Sequence, residues 1–140
     1  VIVHGCNCFN TMGSGIAAQI RKKYHKAFEI DWLTLSGDIN KLGTYTEVAE
    51  DKVRVINAYT QYGTSKNGED VFEYASFEII LKKLAHRYGK LRFGLPMISM
   101  GLAGGDKDRI MAIIEKFARE EYMMKKDDED LFVVVADSTK

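Results

Sequence analysis

Two stretches of this 140-residue chain combine glycines, small residues and a following helical pattern in a way suited to holding an anion. One is Gly5-Cys6-Asn7-Cys8-Phe9-Asn10-Thr11-Met12-Gly13-Ser14-Gly15-Ile16. The other is Ser99-Met100-Gly101-Leu102-Ala103-Gly104-Gly105-Asp106. Glycine lets successive backbone amides turn toward one point and lets a ligand approach without a Cβ in the way. A helix starting just behind such a loop adds partial positive charge. Either loop alone is as well explained by ordinary tight turns. The pair, each between an apolar run and a helical pattern, points to anion binding, and two such cradles suit a diphosphate better than a single phosphate.

Other candidates for chemistry are few. His4 closes the first apolar run beside the first loop, where an imidazole could orient water or protonate a leaving oxygen. A half-buried histidine bonded to a carbonyl explains it equally well. Asp106 could act as a base near a phosphate, but its place before the Lys107–Tyr122 pattern favours an N-cap. Cys6 and Cys8 form a C-x-C pair with no further cysteine to complete a soft metal set. They read as small buried side chains flanking Asn7, so no metal is expected.

The elements that must carry these loops follow from hydrophobic period. Val1-Ile2-Val3 reads as a buried strand stopping at His4-Gly5, and Gly13 through Tyr24 repeats Ile16, Ile20 and Tyr24 at helical steps. Lys41–Glu50 and Lys52–Thr60 read as neighbouring strands around a tight Glu50-Asp51 turn. Phe77, Ile80, Leu81, Leu84, Ala85 and Tyr88 make a helical stripe ended by Gly89 as a C′ residue. Leu91–Ser99 is a strand whose Pro96 belongs at an edge, an end or a bulge. Ile110, Ile113, Ile114 and Phe117 mark another helix, Met123–Asp130 a charged connection, and Leu131–Ala136 an interior parallel strand. The expected fold is α/β: one three-layer α/β/α domain over residues 1–140 with a mixed, mostly parallel sheet.

Composition narrows the class further. Twenty Lys+Arg balance twenty Asp+Glu, so bulk charge supplies no field for nucleic acid. No apolar run approaches the ~20 residues of a membrane helix, and no signal-peptide pattern is present. A monomer in a reducing, cytoplasmic setting is expected. Gly13-Ser14-Gly15-Ile16-Ala17-Ala18 fits the dinucleotide fingerprint G-x-G-x-x-A. The seven intervening residues Cys6–Met12, and Glu29 and Asp31 falling in a helix-like stretch, argue against a nicotinamide-dependent oxidoreductase.

The run from His4 to Ile20 resembles the first ligand loop of macro domains, nearest the branch of ADP-ribose-1″-phosphate phosphatases and ADP-ribosyl hydrolases. Leu95–Gly105 resembles that family's second, phosphate-wrapping loop, and Asn57-Ala-Tyr-Thr-Gln61 the end of its central strand. The resemblance spans Val1 to about Phe117. It implies a fold that binds ADP-ribose without a cofactor, and in many members cleaves a group from the distal ribose. By position it implies that Asn7 contacts the distal ribose and that Gly13, Ser14, Gly15 and Ile16 give amides to one phosphate. Met100, Gly101, Leu102, Ala103 and Gly104 would wrap the other phosphate, with Ser99 as a further donor. Asn7 has an alternative role in an Asx turn.

The resemblance implies that ADP-ribose-1″-phosphate is converted to ADP-ribose and phosphate; a non-catalytic reader of ADP-ribose is the alternative. Macro domains normally begin with a strand ending in Gly-Asp that recognises adenine, and this strand is expected upstream of Val1. Gly37-Asp38 imitates it but follows the first helix, so Asp38 is assigned to a turn. One hydrolase branch uses a lysine and an aspartate; Tyr59 and Ala103 stand at the matching positions, which disfavours that mechanism.

Overall fold

The computed structural model describes residues 1–13, 15–64, 69–89, 91–96, 105–122 and 133–136, without the side chains of residues 121, 122 and 133–136. Strand β1 (Ile2–Cys6) leads to helices α1 (Gly15–Lys23) and α2 (His25–Trp32), then a 3₁₀ turn at Ile39–Lys41. Strands β2 (Tyr45–Glu50) and β3 (Val53–Tyr59) follow, then α3 (Tyr74–Tyr88), β4 (Phe93–Pro96) and α4 (Lys107–Lys116). A π-turn at Phe117–Tyr122 and strand β5 (Val133–Ala136) complete the order.

The five strands form one sheet in the order β2-β3-β1-β4-β5. Strand β1 is parallel to both β3 and β4, β4 is parallel to β5, and only β2–β3 is antiparallel. This is the mixed, mostly parallel α/β sheet expected. The antiparallel pair turns through Asp51 and Lys52, both at positive φ (52° and 63°), which matches the right-handed twist of a tight hairpin.

Alternation along β3 separates the layers. Ile56 and Ala58 face a core shared with Phe77, Ile80, Leu84, Ile110 and Ile114, so α3 and α4 cover that side. Val55 faces Ile20, Tyr24 and Ala27 of the α1–α2 side. The helical stripe on α3 is buried as expected, each fully covered Leu, Ile or Phe contributing about 1.5–3 kcal/mol. Tyr24 ends α1 rather than extending it: at φ −124° and ψ 72° its backbone leaves the helix and starts α2.

Four expectations need correction. His4 does not close β1, which runs on to Cys6. Gly89 is right-handed (φ −63°, ψ −7°), not a left-handed C′ cap. Its missing side chain is instead a matter of space, because a Cβ there would lie 2.5 Å from the Ala85 carbonyl oxygen. Strand β5 is parallel but lies at the end of the strand order among the described residues, since a wholly apolar run does not distinguish a central from a terminal strand. Strand β4 begins at Phe93 rather than Leu91 and includes Pro96; residues 97–99 and 123–132 lie outside the described residues. Among the described residues no helix is long and apolar enough to cross a membrane.

Candidate functional site

Because β1, β3 and β4 run in one direction, Cys6, Tyr59 and Pro96 all end at the same edge of the sheet. That edge is where ligands gather in open α/β sheets. From Cys6 the chain passes through residues 7–13 to the N-terminus of α1. Gly15 takes φ +60°, a conformation only glycine adopts cheaply. Among the described residues, nothing lies within 4 Å of where a Cβ would sit on Gly13 or Gly15, so those residues leave the space over this turn open. The Ile16 amide lies in the first helical turn, where N–H groups lack intrahelical partners. Gly13, Gly15 and Ile16 are thus brought to one open position at the sheet's ligand edge. Ser14, Ser99, Met100, Gly101, Leu102, Ala103 and Gly104 lie outside the described residues.

Asn7 is held by its own loop. Its Oδ1 accepts a hydrogen bond from the Phe9 amide (2.8 Å), and its Nδ2 donates to Thr11 Oγ1 (2.7 Å). The Asx-turn role is therefore present, with the side chain 9% exposed. Three residues on, Asn10 takes φ +61° and ties the loop to the end of α2. Its Nδ2 donates to the Thr34 carbonyl (2.7 Å), and the Lys41 ammonium donates to its Oδ1 (2.7 Å) and to the Cys8 carbonyl (3.1 Å). Lys41 is buried and sits 4.9 Å from the centre of the Tyr59 ring.

Beneath the loop lies a polar layer that sequence reasoning did not assemble. Tyr59 donates to Asp31 Oδ1 (2.7 Å) and lies 3.1 Å from Thr46 Oγ1. Burial pushes the Asp31 carboxyl up, opposed by the Tyr59 hydrogen bond and by Lys41. Burial also raises the Tyr59 phenol and the thiols of Cys6 and Cys8, leaving these groups protonated and unreactive. Tyr59, the position matched to a hydrolase lysine, is thus a buried structural phenol.

His4 is corrected in the same way. It is 1% exposed, with Nε2 2.6 Å from Asn57 Oδ1 and Sγ of Cys6 beside the ring. Burial lowers its pKa to about 4, only partly offset by Asn57. A ring inside the α1–α2 layer has neither the solvent access nor the basicity for acid–base work on a ligand near pH 7. Sequence alone does not show this: β1 is covered on both faces, so alternation does not separate a buried histidine from one that meets a ligand.

Asp106 is a cap, as expected: its Oδ1 accepts from the Asp108 and Arg109 amides (3.0 and 3.2 Å). Its own amide donates to the Tyr74 hydroxyl (2.8 Å), fixing the entrance of α4 to α3. Asp38 caps the 3₁₀ turn by accepting from the Asn40 amide, in keeping with a turn role. His86 lies in the last turn of α3, and His25 pairs with Glu29 at 3.5 Å on the surface of α2.

Solved structures similar to this chain define its class. A Bacteroides thetaiotaomicron protein of unknown function is 25% identical, with a TM-score of 0.75 over 97% of this chain and 85% of its own. The macrodomain of Mycobacterium tuberculosis DarG is 18% identical, with a TM-score of 0.71 over 96% of this chain and 86% of its own. Thermosipho africanus DarTG, solved in complex with ADP-ribose, is 15% identical, with a TM-score of 0.69 over 97% of this chain and 37% of its own. The chain has the macrodomain fold.

It belongs to the family of the uncharacterized 17.5 kDa protein in the tk-vs intergenic region of Enterobacteria phage T4. The two are 35% identical over 127 residues, covering 84% of this chain and 79% of the phage protein. No protein-family profile matches the chain.

Proposed function

We propose that this protein binds ADP-ribose, or a derivative of it, at the sheet edge where β1, β3 and β4 end. The observation that carries the reading is the turn at Gly13 and Gly15, left open by the described residues and set at the N-terminus of α1 in a macrodomain fold. DarTG, which shares that fold, was solved with ADP-ribose. Each backbone N–H donated to an anionic oxygen is worth roughly 1.5–3 kcal/mol. A few of them reach the ~8 kcal/mol of micromolar affinity with no catalytic side chain. In this reading Gly13–Ile16 hold one phosphate, Ser99–Gly104 surround the other, and Asn7 faces the distal ribose.

Binding without turnover fits the described residues better than hydrolysis does. His4, the acid–base candidate, is buried and neutral, and Asp106 is engaged as a cap. Release of phosphate from ADP-ribose-1″-phosphate is the second reading. It would rest on a water positioned near Asn7 and on loop amides that stabilise developing charge. Calorimetry with ADP-ribose and a phosphate-release assay on ADP-ribose-1″-phosphate separate the two. Micromolar binding with no release supports the reader, sustained release replaces it with the phosphatase, and no binding of either compound overturns both.

A further inference from the structure

We propose that Lys41 is a positioning residue for the first binding loop, acting through Asn10 and the Cys8 carbonyl rather than by touching the ligand. The inference rests on the reading of that loop as an ADP-ribose site. Lys41 is 8% exposed, an unusual place for an ammonium unless it is fully engaged. It is engaged by the loop itself, at 3.1 Å from the Cys8 oxygen and 2.7 Å from Asn10 Oδ1.

The geometry explains why a cation belongs there. A loop that presents amides to an anion must turn its carbonyl oxygens elsewhere, or they repel the same anion. The Cys8 oxygen is held away by two donors, Lys41 Nζ and the Gly37 amide (2.7 Å). Asn10 holds φ +61°, a left-handed conformation that asparagine tolerates better than most side chains, and its amide is fixed at both ends. Lys41 and Thr34 approach its oxygen, and its nitrogen donates to the Thr34 carbonyl. Lys41 is itself located by the 3₁₀ turn that Asp38 caps. The chain 7–13 is thereby docked on a support formed by residues 31–41, which leaves the Gly13 turn open. The ammonium makes no contact that requires a ligand, so its effect on binding is carried by loop conformation.

The test uses Lys41→Met, Asn10→Ala and the double variant, with ADP-ribose affinity by calorimetry and amide hydrogen exchange read over residues 8–13 and over β3. Expected are a loss of affinity of about tenfold or more in each single variant and a double variant no worse than the weaker single, because the two residues act as one unit. Exchange should quicken in residues 8–13 while β3 stays protected. Unchanged affinity with lowered stability, or losses that simply add, would overturn the proposal. Should Lys41→Met not fold, Asn10→Ala carries the same comparison. Should the unaltered protein not bind ADP-ribose, the functional reading fails on its own; the exchange data still decide whether Lys41 orders the loop, and unchanged loop exchange overturns that.

Discussion

His4 and Asn57 face each other directly across the β1–β3 ladder, with His4 Nε2 2.6 Å from Asn57 Oδ1. The orientation of Asn57 is set from the other side, where its Nδ2 donates to the Ala27 carbonyl (2.9 Å) and Thr46 Oγ1 (3.0 Å). Its oxygen must therefore meet the histidine, which makes Nε2 the protonated nitrogen of a neutral ring. The Cys6 sulfur lies alongside the ring, 3.7 Å from Nε2 and 3.8 Å from Nδ1.

This pairing predicts acid sensitivity. The His4 pKa is lowered from 6.5 to about 4, so between those values the unfolded chain takes up a proton that the folded chain refuses. Stability from this group is present above pH 6.5 and is lost as pH falls toward 4. At about 1.36 kcal/mol per unit the loss approaches about 3 kcal/mol. Urea unfolding at pH 7, 5.5 and 4.5 should show it, and His4→Gln should be less stable at pH 7 but flatter with pH. An imidazole that titrates near 6.5 by NMR in the folded protein is the contrary result. Asp31 acts in the opposite direction, since its raised pKa favours the folded state as pH falls, so the comparison with His4→Gln isolates the histidine.

Removing the phenol hydroxyl beneath the loop should expose the cost of a buried carboxylate. Tyr59→Phe deprives Asp31 Oδ1 of its donor at 2.7 Å. A buried group left without its partner costs about 1–3 kcal/mol at neutral pH. The deficit should shrink at acid pH as Asp31 becomes protonated. Equal stability of the variant at pH 7 would mean that another donor takes over.

The turn at Gly13 offers a way to separate ligand space from folding. Its φ is not in the left-handed region, and among the described residues nothing lies within 4 Å of a Cβ there. Gly13→Leu should keep the melting temperature nearly unchanged and abolish ADP-ribose binding by filling the open space. Retained affinity would put the phosphate elsewhere.

Asp106 should behave as a cap and nothing more. Losing the bonds to the Asp108 and Arg109 amides in Asp106→Ala should cost about 0.5–2 kcal/mol, with Asp106→Asn recovering most of it. If phosphate release from ADP-ribose-1″-phosphate is detected, its loss in Asp106→Asn without loss of stability would mark Asp106 as a base.

Much of this molecule is legible in the order of its residues. The apolar stripe from Phe77 to Tyr88, the hairpin around Asp51 and the cap at Asp106 are local matters, set by helical period, turn chemistry and the first free amides of a helix. The α/β class follows, because such elements can bury their apolar faces only in layers. The position of the first glycine loop at a strand-to-helix junction is equally local.

Relations across the sheet are another matter. That Lys41 reaches Asn10, that Tyr59 meets Asp31 and that His4 is paired with Asn57 depend on contacts between residues 28 to 53 positions apart. Spacing along the chain carries no trace of them, because a lysine in a short turn or a histidine after an apolar run looks the same whether it meets solvent or a partner. Burial is what separates those two fates. It is a property of the packed layers, which is why His4 changed from a candidate for chemistry into part of the frame and Lys41 emerged as a support for the loop.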